Sequence, residues 1–138
     1  MRKVLAAAIA GIGLMLLGAP LGAHHAFSAE FDTEKPVTLK GAVTKVEWIN
    51  PHSWLYLDVN DAKTGQPVHW KIEMGAPNQL IRKGWNKASM PAGTEVIVEG
   101  YRAKNGSDIA NGGSVTFADG RKLSVSSAGT GAPYEEKK

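Results

Sequence analysis

Two cleanly alternating segments constrain this chain more than any other feature. In Trp54 to Val59, the side chains of Leu55, Leu57 and Val59 take one face while Trp54, Tyr56 and Asp58 take the other. Val68 to Met74 repeats the pattern, with Val68, Trp70 and Ile72 on one face and His69, Lys71 and Glu73 on the opposite one. Period-two alternation specifies half-buried strands. The intervening Asp61-Ala62-Lys63-Thr64-Gly65 carries turn chemistry, so the two strands form a hairpin. A one-residue slip would expose an apolar row, which sets the register. The outer surface then presents Trp54, Tyr56, His69, Lys71 and Glu73.

The flanking sequence extends this sheet. Val37 to Ile49 reads as a long first strand whose apolar phase shifts between Val43 and Val46, just after Gly41. Such a slip beside a glycine predicts a bulge or sharp coil. Asn50-Pro51-His52-Ser53 is a turn. Pro77 to Lys83 reads as a short helix, with proline in its first turn and Gly84 at its stop. Glu95 to Arg102 is a fourth strand, Asn105 to Gly113 a glycine- and asparagine-rich loop, and Ser114 to Phe117 a fifth strand. Asp119-Gly120 then turns the chain into a short extension, Lys122 to Val125. This order predicts an all-β chain: a small, OB-fold-like five-stranded barrel with one short helix between strands three and four. An open sheet or a sandwich with a different connection is the alternative.

Residues 1–23 have another character. Arg2 and Lys3 precede an uncharged, mostly apolar run, followed by the small-residue stretch Gly18-Ala19-Pro20-Leu21-Gly22-Ala23. That is the layout of a cleavable signal peptide, with cleavage expected after Ala23. The alternative is an uncleaved anchor, since the run is just long enough to cross about 30 Å of hydrocarbon. No cysteine follows to carry a lipid, so no stable membrane anchor is expected after processing. Residues 24–36 form an N-terminal arm, 37–127 the barrel domain, and 128–138 a small, polar and charged tail expected to be disordered.

Charge and cysteine usage narrow the function. Taking Arg2 and Lys3 from the 16 basic residues leaves 14, against 13 acidic ones. A mature domain so near neutrality lacks the electrostatic footprint of a nucleic-acid binder. With no cysteine in the 138 residues, an exported fold must rely on its packed core.

The four histidines, His24, His25, His52 and His69, are the principal candidate ligands. Cleavage after Ala23 would make His24 the first residue, offering a free α-amine beside its own imidazole. An α-amine has a pKa of about 8, so a metal ion displaces its proton near neutrality. His25 adds a second mode through amine, backbone amide and imidazole. Both arrangements are nitrogen-rich and favour Cu(II). A third nitrogen from His52 or His69 would complete a T-shaped site. The arrangement resembles the histidine brace of copper-dependent polysaccharide monooxygenases and of some periplasmic copper carriers. That resemblance covers only the N-terminus expected after cleavage, and it implies copper binding rather than oxygen chemistry. The alternative makes His24 and His25 solvated residues on a loose arm, His52 a turn residue capping nearby backbone, and His69 a solvated strand residue beside Asp58.

Trp54 and Tyr56 read either as a stacking platform for a glycan or protein partner, with Lys71 and Glu73 beside them, or as rings buried under Phe27 and Phe31 of the arm. Trp70 reads as core, and Trp85 as packing the helix end. Catalytic signals are thin: there is no thiol nucleophile, nucleophile elbow, phosphate loop or zinc-protease helix.

The runs His24 to Asp32 (HHAFSAEFD), Val46 to Trp54 (VEWINPHSW), Glu73 to Pro77 (EMGAP) and Gly100 to Lys104 (GYRAK) together resemble an uncharacterised family of small exported bacterial proteins, catalogued as a domain of unknown function. The resemblance spans nearly all of the mature chain. It implies export, a periplasmic location and a single domain, and supplies no catalytic residues. The combined expectation is a periplasmic binding protein holding copper through His24, with His25, His52 and His69 as further ligands, for metal handling or delivery to a periplasmic partner. A metal-free interaction module using the aromatic strand face is the second reading, and a copper redox enzyme the third.

Overall fold

A computed structural model describes residues 26–134. The leader and His24 and His25 therefore lie outside the described residues, as do residues 135–138.

The hairpin that dominated the sequence is present, as β2 (Trp54–Asn60) and β3 (Pro67–Glu73). Leu55 pairs with Ile72, Leu57 with Trp70, and Asp58 with His69. Leu55 and Ile72 are fully buried, as alternation requires. The loop closes on Asp61, whose Oδ1 accepts the Lys63 and Thr64 amides at 2.6 and 3.1 Å. Gly65 supplies the left-handed residue, with φ 68°.

β1 runs from Phe31 to Glu47 and changes partner along its length. Its first part pairs with β4 (Glu95–Ala103), its last part with β2. The register breaks between Val43 and Lys45, where the apolar phase slips. Gly41 is required nearby, because a Cβ there would lie 2.4 Å from Asp58 O on β2. β5 (Ile109–Phe117) pairs antiparallel with β4 and, over Lys71 to Glu73, parallel with β3. The ladders thus run β1-β2-β3-β5-β4 and return to β1, giving a mostly β, ring-like sheet. A sixth strand, β6 (Lys122–Ser124), extends the sheet from β5.

Leu39, Val43, Leu55, Leu57, Ile72, Val96, Val98 and Val115 fill the inside of this ring. α2 (Pro77–Arg82) lies between β3 and β4 in the chain and adds Leu80 to the core. Trp85 follows it, 2% exposed, with its indole N–H donating to Ser124 O at 2.7 Å.

Three sequence expectations are corrected. The stretch from Asn105 to Gly113 is not a loop throughout, since β5 begins at Ile109. Two of its glycines serve close packing: a Cβ on Gly112 would lie 2.8 Å from Ile72 Cγ2, and one on Gly113 2.8 Å from the Tyr134 ring. The arm is not a cover for Trp54. From Ala26 it forms α1 (Ala26–Glu30) and from Phe31 it is part of β1, because Phe27 finds aromatic partners elsewhere. Its ring lies 5.8 Å from Tyr101 and 6.5 Å from Tyr134. Finally, residues 128–134 differ from the expected disordered tail: Ala132 is buried and Tyr134 stacks on Tyr101 at 5.8 Å. These groups, with Phe31, Ala103 and Ile109, make a second apolar cluster that fastens both ends of the described chain together.

Candidate functional site

The end of β3 carries a buried carboxylate. Alternation places Glu73 on the outer row opposite Trp54, yet it is only 8% exposed. The expectation of Glu73 on an open partner-binding face is corrected for a tertiary reason. β3 pairs with β5 here, setting Asn111 beside Glu73, and the turn before β2 brings in His52. Asn111 Nδ2 donates to Glu73 Oε1 at 3.1 Å. His52 Nδ1 lies 3.9 Å from the same oxygen. Ser127 Oγ lies 3.2 Å from His52 Nδ1 and donates to Met74 O at 3.2 Å. Ser53 Oγ and Asn111 Oδ1 are buried without a hydrogen-bond partner.

A carboxylate out of water needs compensation, and the His52 imidazole and the Asn111 amide are the polar side chains beside Glu73 Oε1, at 3.9 and 3.1 Å. Burial pushes the Glu73 carboxyl above the usual range, and the Glu30 carboxylate acts in the same direction; His52, Asn111 and Lys71 oppose them. A carboxyl raised on folding holds its proton more tightly in the native state. Its stabilising contribution is complete below the unfolded value and is lost as pH rises through the folded one. The contribution of Glu73 to stability is therefore expected to fall as pH climbs from 4.5, the ordinary value for this group. Glu73→Gln should flatten that dependence. Urea midpoints measured from acid to neutral pH check this, and parallel profiles for the two proteins would refute it.

His69 stands apart. It pairs across the hairpin with Asp58, and its Nδ1 meets Asp58 Oδ1 at 2.5 Å, while its side chain is 80% exposed. Glu73 lies four positions further along β3, about 13 Å of rise, so His69 and His52 do not face a common ion. Among the described residues, no group of three or more His, Cys, Asp or Glu side chains is placed to hold a metal.

The aromatic face is half-buried and its rings are occupied. Lys71 Nζ sits 4.0 Å above the Trp54 ring and 5.7 Å from that of Tyr56, and Lys45 Nζ lies 4.4 Å from Tyr56. Tyr56 O–H donates to Glu47 Oε2 at 2.9 Å. A stacking ligand would have to displace ammonium groups already using these π faces.

The first and last of the sequence runs singled out earlier meet at α1. Lys104 N–H donates to Glu30 O at 2.9 Å, and its ammonium to Ser28 O at 2.5 Å. Phe27 N–H donates to Thr130 O at 3.4 Å, three residues beyond the Ser127 that touches His52. The start of α1 is thereby tied to the segment that contacts His52. Asn111 and Ser127 were missed from sequence because one lay in a presumed loop and the other next to a presumed tail.

A family model matches residues 13–112. The chain belongs to DUF6152, a family of unknown function. The stretch matched to DUF6152 contains His24, His25, His52, Glu73 and Asn111, and stops before Ser127. No curated protein and no solved structure matches the chain.

Proposed function

We propose that this protein is an exported, periplasmic OB-type barrel that binds one Cu(II) ion through His24, with His25 and His52 as partners, for metal handling or delivery. The order β1-β2-β3-β5-β4, with α2 between β3 and β4, supports the OB assignment. The observation that carries the metal reading is the placement of His52. It sits beside a buried carboxylate, touching the segment whose Thr130 is bonded to the start of α1. His24 precedes Phe27 by three residues, a span of at most about 10 Å. The proposed first-residue amine and imidazole would then lie within that span of Phe27. His69, paired with Asp58 and far along β3, has no part in this site.

The test is copper titration of the processed, secreted protein, with its first residue established by mass spectrometry. Binding of one equivalent is expected, and both His24→Ala and one extra residue before His24 should abolish it. Equal affinity in the extended protein would sink the reading, since only a free α-amine distinguishes the two.

A further inference from the structure

We infer that the outer face of β1, β2 and β3 binds an acidic saccharide, its carboxylate on Lys71 and its hydroxyls on the Asp58–His69 pair. The inference is independent of the copper reading. The hairpin register sets Tyr56 opposite Lys71 and Asp58 opposite His69. Over these residues runs a groove of about 440 Å³, open to solvent and bounded on the β1 side by Thr44, where the register of β1 breaks. That volume falls in the range of about 300–1,000 Å³ usual for small-ligand sites. The cations along this face are not equivalent. Lys45 Nζ meets Glu47 Oε1 at 2.8 Å, and His69 meets Asp58. Lys71 Nζ instead faces two rings, 4.0 Å from Trp54 and 5.7 Å from Tyr56, and among the described residues no carboxylate lies within ion-pair distance of it.

Ring contacts position this ammonium without cancelling its charge, because a π face offers a quadrupole and no full negative charge. Its N–H donors therefore suit an incoming anion. The other end of the groove asks for the opposite. Asp58 Oδ1 takes the hydrogen of His69 Nδ1 at 2.5 Å, which leaves the lone pair of the neutral ring on Nε2. Nε2 and Asp58 Oδ2 are then acceptors, and the His69 side chain is 80% exposed. A ligand that satisfies both ends carries an anion and hydroxyl donors on one frame, as an acidic sugar does. Lys71 and His69 stand two strand positions apart, about 7 Å along β3, a distance that groups on neighbouring sugar units span. Such a ligand lies against the ammonium, so the Lys71–Trp54 contact survives its arrival. Other classes fit less well. β2, the floor of the groove, is paired on both sides by β1 and β3, so a peptide cannot add to it as a strand. A polyphosphate chain would meet Glu47 and Asp58 as well as Lys71.

Titration of the secreted protein with trigalacturonate, and with cellotriose as its neutral counterpart, tests this by heteronuclear NMR. The samples contain no copper, so the outcome leaves the copper reading untouched. Amide shifts at Tyr56, Asp58, His69 and Lys71 are expected with trigalacturonate, at an affinity that falls with added salt. Lys71→Met keeps an unbranched stem against Trp54 and removes the charge. It should weaken binding about tenfold or more, the worth of a hydrogen bond to a charged group. His69→Ala removes a hydroxyl acceptor and should weaken binding several-fold. Unshifted amides on β4 and β5 establish that each variant is folded, and should one fail to fold the other carries the test. Equal affinity for cellotriose and trigalacturonate overturns the inference, as does unchanged affinity in either folded variant or the absence of binding at millimolar ligand. Tighter binding of triglutamate than of trigalacturonate overturns it as well, and would make the face a site for acidic peptides.

Discussion

Gly100→Ala should lower stability by about 3 kcal/mol. Gly100 lies where the β4–β5 register shifts, beside Glu99. A Cβ there would stand 2.1 Å from Asn111 O, 3.1 Å from Asn111 C and 3.3 Å from Gly112 Cα. All three are backbone atoms, so no rotamer change relieves the overlap and β5 must move. Asn111 moves with it, and its side chain is what holds the Glu73 carboxylate. Urea unfolding should show a lower midpoint at unchanged slope. A midpoint within experimental scatter of wild type would mean that β5 yields freely, which would contradict its pairing on both sides.

The second large effect belongs to Phe27→Ala, expected to cost about 3 kcal/mol. Phe27 is 3% exposed and meets Phe31 at 5.6 Å, Tyr101 at 5.8 Å and Tyr134 at 6.5 Å. Its removal leaves a hole between the two ends of the described chain, where α1 has only five residues to hold itself. A helix that short depends on tertiary packing. Amide exchange should rise at Phe27, bonded to Thr130, and at Lys104, bonded to Glu30, while Leu55 and Ile72 in the hairpin stay protected. If copper is held by residues preceding Phe27, affinity should drop too, because the ligands lose their anchor. Uniform loss of protection across hairpin and ends would show instead that the second cluster is not a separate unit.

These two positions also show how far the sequence can be read. Gly100 and Phe27 were visible as residues of the runs that carry the family resemblance, but their roles were not. A glycine in a strand signals a close approach without saying to what, and covering Trp54, one of the two readings left open, is not what the Phe27 ring does. The aromatic residues it does meet, Tyr101 and Tyr134, are distant in the chain, and no local pattern links them. Strand existence was better specified than strand extent. β5 was recognised from Ser114, while its first half, rich in glycine and asparagine, has little intrinsic strand preference and is ordered by β3 and β4 on its two sides.

Alternation by itself determined the β2–β3 hairpin, its register and the inward faces of Leu55, Leu57, Trp70 and Ile72, because a period of two leaves one way to bury that apolar row. The phase slip after Gly41 likewise specified where β1 bends. Only the tertiary structure decided which outer residues remain wet. Glu73 and His69 share one alternating row, yet one is buried among His52 and Asn111 and the other stands in solvent beside Asp58. Solvent exposure at such positions is set by what the rest of the chain lays over them, and that depends on long-range pairings that a short-range pattern does not encode.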